Sequence, residues 1–263
     1  MFVNELQRWW RQRLLRKHGI PLPLWKHCLA QVAVLSRLGE NERQRLWELA
    51  SFFLRDKRIN GAQGLTVTDE MRVLIAAQAC LLILNLDLDY FSGWREVIVY
   101  PDSFIVEHEA HDEDGIVHEI HQVQEGEAWE HGPVILSWAD AKPANDAYNV
   151  ILHEFAHKLD MLNGEANGMP PLHPDMSRAS WTEAFTRAYD DLEWQLEHHH
   201  ASAIDPYAAE NPAEFFAVVS ETFFEVPHEL HAAYPEVYAQ LALFYRQDPL
   251  HHVTIPSPST GEG

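Results

Sequence analysis

The sequence contains little cysteine, few basic residues and no long apolar run. Cys28 and Cys80 are the only cysteines among its 263 residues, and both lie in apolar stretches of helical character. Two cysteines do not make a disulfide framework, so we interpret them as buried free thiols in a reducing compartment. The longest apolar run, residues 73–86, is interrupted by Gln78. It is shorter than the roughly 20 residues that a membrane-spanning helix needs.

The charge balance is strongly acidic, with 19 Lys and Arg residues against 40 Asp and Glu and a formal net charge of −21. Sequence-independent nucleic-acid binding depends on contacts between cations and phosphates, so nucleic acid is not expected as a direct partner. The N-terminus shows no basic region followed by an apolar stretch and a small-residue cleavage site. We therefore expect a cytoplasmic protein with no membrane partner.

One segment departs from the acidic composition. Residues 2–17 place apolar side chains at helical spacing beside five basic residues, which are Arg8, Arg11, Arg13, Arg16 and Lys17. Such a helix can lie on a membrane surface. Packing on the core of the same domain, with the arginines in water, is commoner and is the interpretation that we favour.

Hydrophobic periodicity predicts a predominantly helical α+β fold in one domain, residues 1–253. Residues 1–90 form a helical part, 91–145 a sheet region and 146–253 a second helical part. Residues 254–263 are rich in Pro, Ser, Thr and Gly and are expected to be a disordered tail. The helices expected from capping signals are 42–56, 70–84 and 146–161, and the expected strands are 95–100, 103–107, 116–123 and 132–138.

The motif that carries chemistry is His153-Glu154-Phe155-Ala156-His157. Histidines at i and i+4 lie on one face of a helix and can point at one metal ion. Glu154 is offset by about 100°, beside a metal-bound water rather than on the metal. This spacing is typical of zinc peptidases, in which zinc activates water and the glutamate acts as general base.

The alternative is that these histidines are core residues satisfied by carboxylates. The apolar residues around the motif favour the site, because two His and a Glu on a buried helix need partners. The other histidines are weaker candidates for metal ligands. His118 and His121 have the wrong spacing and fall in a predicted strand, and His108 and His111 belong to an acidic loop region. The runs 198–200 and 251–252 are expected to be exposed.

The third ligand must be a carboxylate. Asp160 and Asn163 stand where the three-histidine zinc class has glycine and histidine, so that class is excluded. We choose Glu214, on a buried helix opened by Asn211 and Pro212. Its alternative role is a capping box with Asn211. Glu221, seven residues on, lies about 10 Å further along the axis and cannot readily share the ion.

Three further side chains are candidates around this site. Glu221 and Asp160 are candidates to orient the metal ligands, or each pairs with a buried Arg or Lys. Tyr207, just before the helix of Glu214, is placed to hydrogen-bond the developing oxyanion, although a lone tyrosine more often serves packing.

Taken together, these segments resemble the Mlc titration factor A family of bacterial zinc peptidases. The resemblance covers nearly the whole chain. It rests on residues 61–65 (Gly-Ala-Gln-Gly-Leu), 68–71 (Thr-Asp-Glu-Met), 132–138, 153–160 and 211–227. It implies a zincin-like core similar to that of anthrax lethal factor, with one zinc ion held by His153, His157 and Glu214. It also implies that Glu154 is the base, that Tyr207 assists the transition state, and that the protein is cytoplasmic and binds the repressor Mlc.

Two functions follow from the residues and the resemblance. One is a peptidase, of aminopeptidase type, that hydrolyses peptide or aminoacyl amide bonds. The other is a non-enzymatic protein that sequesters a repressor and keeps a weak or vestigial zinc site. In the zincin-like core, a small mixed sheet is expected to place an edge strand beside the active-site helix, where a substrate backbone can pair with it. Residues 134–138 are either that strand or an interior one.

Overall fold

A computed structural model describes residues 11–102, 104–111, 117–124, 126–128, 132–141, 148–251 and 253–254. The predominantly helical α+β fold is confirmed. The helices in these ranges are α1 (residues 11–18), α2 (Leu22–Gln31), α3 (Ala33–Ser36), α4 (Glu40–Asp56), α5 (Asp69–Leu82), α6 (Trp138–Ala141), α7 (Val150–Asp160), α8 (Arg178–Glu197), α9 (Pro212–Glu225), α10 (Pro227–Ala233) and α11 (Pro235–Tyr245). Short 3-10 turns cover Leu88–Phe91, Met161–Asn163 and Pro206–Ala209.

Capping residues define where the central helices begin. Thr68 Oγ1 accepts a hydrogen bond from the backbone N–H of Met71, which starts α5 at Asp69, one residue before the predicted start. The helix α7 begins at Val150, because Asn149 Oδ1 accepts from the backbone N–H of Leu152. The prediction that this helix begins at Asp146 is wrong, since Tyr148 and Asn149 are not helical.

The strands form three small sheets. They are β1 (Arg58–Gly61), β2 (Glu96–Tyr100), β3 (Phe104–His111), β4 (Val117–Gln124), β5 (Gly126–Ala128), β6 (Val134–Ser137), β7 (Gln247–Asp248) and β8 (Val253–Thr254). The main sheet has the order β1-β2-β6-β5, with β1, β2 and β6 parallel and β5 antiparallel to β6. The strands β3 and β4 pair as an antiparallel hairpin.

The main sheet is mixed, and its edge strand β5 lies against α7. The strand predicted at residues 132–138 is β6, which is interior because β2 and β5 pair with its two sides. Four of the described strands, β1, β5, β7 and β8, were not predicted. Each is at most four residues long, so no apolar alternation marks it, and only its pairing with a neighbouring strand makes it a strand.

The prediction that His108 and His111 lie in a loop is wrong. Both residues lie in β3, which continues to His111 because β4 pairs with its whole length. Backbone pairing does not require apolar side chains, so polar residues continue a strand when a partner strand is present. Thr254, assigned to the tail, lies in β8 and pairs with Gln247. The remainder of the predicted tail, 255–263, falls outside the described residues.

The core is built around three buried helices, with α7 packed between α5 and α9. Every residue of α7 is buried, and α9 is buried from Phe215 to Phe224. Both cysteines are buried and unpaired, as predicted. Burial raises the pKa of the Cys28 thiol to about 11, so this thiol stays protonated at neutral pH.

The described part of the basic N-terminal segment packs against the rest of the chain. Leu15 is buried, and the guanidinium group of Arg11 lies 5.3 Å from the centre of the Phe52 ring. This arrangement fits the interpretation that α1 covers the core of its own domain. Residues 1–10 lie outside the described ranges. None of the helices that the structure describes is long and apolar enough to cross a membrane.

Candidate metal centre

The two motif histidines meet Glu214 between α7 and α9. His153 Nε2 lies 3.1 Å from His157 Nε2 and 2.9 Å from Glu214 Oε2, and His157 Nε2 lies 3.3 Å from the same oxygen. The three ligand atoms therefore form a triangle with edges of 2.9–3.3 Å. His153 and His157 are buried and Glu214 is half-buried. The structure thus brings together the three residues predicted as ligands.

The distances between the three ligand atoms can be compared with those expected around a zinc ion. Ligand atoms about 2.0–2.1 Å from zinc at a tetrahedral angle stand about 3.3–3.4 Å apart. The observed edges are shorter than this by at most about 0.5 Å, so small side-chain adjustments bring all three atoms into coordination distance. Two imidazole nitrogens and one carboxylate oxygen are also a donor set that zinc accepts in catalytic sites. The residues present fit the ion.

Local sequence explains why Glu214 reaches the histidines. Asn211 Oδ1 accepts hydrogen bonds from the backbone N–H groups of Ala213 and Glu214, and Pro212 occupies the first helical position. The cap is thus provided by the asparagine, while the Glu214 carboxylate contacts the imidazoles rather than the Asn211 backbone. The alternative role of Glu214, a reciprocal capping box, is not the one that the structure has.

Glu221 contacts the far side of His153. Its Oε1 lies 2.6 Å from His153 Nδ1, and both groups are buried. When the imidazole is neutral, as a metal ligand must be, this contact places its proton on Nδ1 and leaves the lone pair of Nε2 facing Glu214 and His157. Glu221 and Glu214 therefore act on the same histidine from opposite sides.

The electrostatics of the metal-free site are those of a buried imidazole pair between carboxylates. Burial lowers the pKa of His153, but the hydrogen bonds to Glu214 and Glu221 outweigh it and raise this pKa well above its usual value. Burial raises the pKa of Glu214, yet the two imidazoles hold it far below its usual range. The pKa of Glu221 is raised by burial, which its contacts with His153 and Asn149 only partly offset. Two carboxylates thus contact one imidazole from opposite sides, and this acidic surrounding suits a dication.

Glu154 and Tyr207 stand beside the triangle. Glu154 is buried, with 4% of its surface exposed, and its charge contributes to the raised pKa of His153. Tyr207 is 42% exposed, and the centre of its ring lies 6.0 Å from that of His153. Asp205 Oδ1 accepts a hydrogen bond from the Tyr207 backbone N–H and so fixes the turn that carries the tyrosine.

Asn149 is a residue that the sequence analysis missed. Its backbone N–H donates to Glu221 Oε2 at 2.8 Å, and its Nδ2 donates to Gln78 Oε1 and Glu225 Oε1 at 2.8 and 2.7 Å. Asn149 therefore caps α7 and holds the carboxylate that contacts His153. The available signal was its place directly before an apolar helical run, which is typical of an N-cap.

Neither Asp160 nor any of the exposed histidines belongs to the ligand triangle. Asp160 Oδ2 accepts hydrogen bonds from the backbone N–H groups of Asn167 and Gly168 and not, among the described contacts, from an imidazole. His198, His199 and His200 are exposed, as predicted, and so is His251. The three-residue centre is the one potential metal cluster found within the ranges that the structure describes.

The chain is similar to known proteins over most of its length. A family model described as glucose-regulated metallo-peptidase M90 matches residues 6–246. The chain is 39% identical over 230 residues to the Mlc titration factor A of Klebsiella pneumoniae, covering 86% of each protein. It is 38% identical over 246 residues to that of Serratia proteamaculans, covering 92% of this chain and 93% of the relative. The chain belongs to the glucose-regulated metallo-peptidase M90 family.

Proposed function

We propose that this protein is a zinc-dependent peptidase of aminopeptidase type that hydrolyses peptide or aminoacyl amide bonds. The observation that carries the proposal is the triangle of His153 Nε2, His157 Nε2 and Glu214 Oε2, with edges of 2.9–3.3 Å. Membership of a metallo-peptidase family supports it. His153, His157 and Glu214 would hold one zinc ion per chain. When bound, zinc supplies a Lewis acid that polarises the scissile carbonyl and acidifies water.

The protein groups have separate roles in this proposal. Glu154 takes a proton from the attacking water and passes it to the leaving amine, since it lies on α7 beside the histidines but outside the triangle. Glu221 holds His153 in the tautomer that presents Nε2 to the site. A neutral imidazole and a fixed ring orientation are what a metal ligand requires.

Tyr207 is proposed to donate a hydrogen bond to the oxyanion that forms from the scissile carbonyl. Its exposed ring close to His153 supports this role, since a group that meets substrate must be accessible.

We expect Tyr207→Phe to lower kcat by about 10²-fold with KM little changed, the usual effect of removing one oxyanion donor. Steady-state kinetics on one reporter substrate measure this. Tyr148→Phe, at another exposed tyrosine, is the matched control. An unchanged kcat in Tyr207→Phe assigns the ring to packing or substrate binding instead.

The experiment that tests the function is hydrolysis of a panel of aminoacyl and peptide reporters. The protein is assayed as purified, after removal of metal by a chelator, and after addition of one equivalent of zinc. Activity that disappears with the metal and returns with zinc supports the peptidase proposal, and the panel shows whether a free N-terminal amine is required. Absence of turnover at full zinc occupancy contradicts it.

A second proposed function is binding of a transcription repressor, as the name of the relatives, Mlc titration factor A, suggests for them. Such binding does not depend on general-base chemistry, so a Glu154→Gln protein should bind purified Mlc as the wild type does. The two functions are compatible.

The two buried free cysteines support a reducing compartment, and we propose that the protein acts in the cytoplasm.

A further inference from the structure

The segment between α7 and the helix α8 is fixed to the end of α7 by one buried carboxylate. Asp160, three residues after His157, has no exposed surface. Its Oδ2 accepts hydrogen bonds from the backbone N–H of Asn167 at 2.8 Å and of Gly168 at 2.7 Å. The segment is also closed on itself, since Asn163 Nδ2 donates to the backbone carbonyl of Met169 at 3.1 Å. Gly168 therefore has a fixed position relative to the histidine helix.

Gly168 in turn lies directly against the helix that carries Glu214. A Cβ atom at this position would stand 2.5 Å from the backbone oxygen of Pro212 and 3.0 Å from its carbonyl carbon. Its φ of +78° lies in the left-handed region that favours glycine. Trp181 of α8 holds the same residue from another side, because its Nε1 donates to the Gly168 carbonyl at 3.0 Å. Pro212 is the first residue of α9 and lies two residues before Glu214.

We propose that Asp160, Gly168 and Pro212 form a spacer that sets the distance between His157 and Glu214 and thereby the affinity of the site for its metal. We call these three residues the loop spacer. They are positioning residues, since they act through the ends of α7 and α9 and not on the metal. The inference rests on the proposed metal site. Asn211 caps α9 by accepting from the backbone N–H groups of Ala213 and Glu214, which ties Glu214 to the same helix start as Pro212.

The loop spacer explains two features that the proposed function leaves open. One is the glycine at position 168, where backbone approach to Pro212 leaves no room for a side chain. The other is the buried Asp160, which pairs with neither a Lys nor an Arg among the described contacts but accepts two backbone N–H groups. One side-chain oxygen that accepts from two successive backbone N–H groups fixes the turn at residues 167 and 168.

The test compares two glycines with nearly the same positive φ. Gly168→Ala combines positive φ with a clash against Pro212, whereas Gly64→Ala has φ of +82° and meets nothing within 4 Å. Both variants should unfold at a lower temperature because of the backbone strain. The zinc affinity of Gly168→Ala should fall 10–100-fold, the range seen when groups that orient metal ligands are lost. That of Gly64→Ala should equal the wild type.

A second pair of variants separates positioning from stability. Asp160→Asn keeps an oxygen that accepts the two N–H groups, and Asp160→Ala removes it. We expect Asp160→Ala to lose zinc affinity as Gly168→Ala does, and Asp160→Asn to recover most of it. Cobalt-substituted proteins give an independent readout, because a shift in the visible absorption of Co²⁺ in Gly168→Ala and Asp160→Ala reports altered ligand geometry.

Wild-type zinc affinity and an unchanged cobalt spectrum in both Gly168→Ala and Asp160→Ala would overturn the loop spacer while leaving the proposed function standing. If the wild type itself binds no zinc, the proposed metal site fails, and the metal-free protein still tests the spacer. Long-range ¹H–¹⁵N spectra then report the imidazole nitrogens of His153 and His157, which contact Glu214. Identical imidazole signals in wild type and Gly168→Ala would show that residue 168 does not position Glu214.

Discussion

Glu154→Gln is expected to lower kcat/KM by about 10²–10⁴-fold while zinc binding survives. Glutamine has nearly the same shape as glutamate but cannot take a proton from water at neutral pH. Glu154 is buried and lies outside the ligand triangle, so the amide can occupy its place without removing a metal ligand. The measurement is hydrolysis of the best reporter by zinc-loaded wild type and variant, with zinc content determined for both proteins.

The matched control for this variant is Glu229→Gln, which makes the same chemical change at an exposed position of α10. It should leave both turnover and zinc content unchanged. Turnover of Glu154→Gln within a few fold of the wild type would exclude Glu154 as the general base. Loss of zinc together with turnover would instead mean that Glu154 supports the metal, and the kinetic effect would then say nothing about proton transfer.

The parts of the site that the sequence predicts are those that depend on local chain geometry. His153 and His157 share a helix face because of their spacing, and the structure confirms that they meet. The start of α9 follows from Asn211 and Pro212, whose capping roles require only neighbouring residues. These features could be found because a helix and its cap are fixed by residues within a few positions of each other.

What the sequence could not fix is the meeting of separate elements. Glu214 lies 57 residues after His157 in the sequence. Hydrophobic periodicity does not predict that His157 Nε2 and Glu214 Oε2 lie 3.3 Å apart. The choice of Glu214 depended on its buried helix and on the exclusion of other ligand classes. The interior position of β6 and the edge strand β5 were likewise undetermined, because strand order depends on pairing between segments distant in sequence.

Asp160 and Asn149 illustrate the same limit for supporting residues. A buried polar residue near a motif can be recognised as needing a partner, but its partner is set by the fold. Asp160 was a candidate to orient a metal ligand and contacts backbone N–H groups instead. Asn149 looked like an interior helical residue and instead connects the cap of α7 with Glu221.

The negative charge around the histidines determines how the protein should respond to metal. Glu154, Glu214 and Glu221 surround two imidazoles in a largely buried site, so the metal-free centre concentrates acidic groups where they are poorly hydrated. A dication offsets this charge in the folded state only, because the site does not exist in the unfolded chain. Metal should therefore raise the melting temperature, and the size of the effect should depend on Glu214.

Glu214→Gln is expected to weaken zinc binding by more than the 10–100-fold that outer groups contribute, and to reduce turnover to background. The amide removes the one anionic ligand of the triangle while keeping its length. Zinc at 100 times its Kd should stabilise the wild type by about 2.7 kcal/mol, and this stabilisation should be nearly absent in the variant. Thermal unfolding with zinc and with a chelator measures it. Glu210→Gln, at an exposed position four residues earlier, should respond to zinc as the wild type does. If zinc raises the unfolding temperature of Glu214→Gln as much as that of the wild type, Glu214 is not the third ligand and the proposed metal centre is wrong.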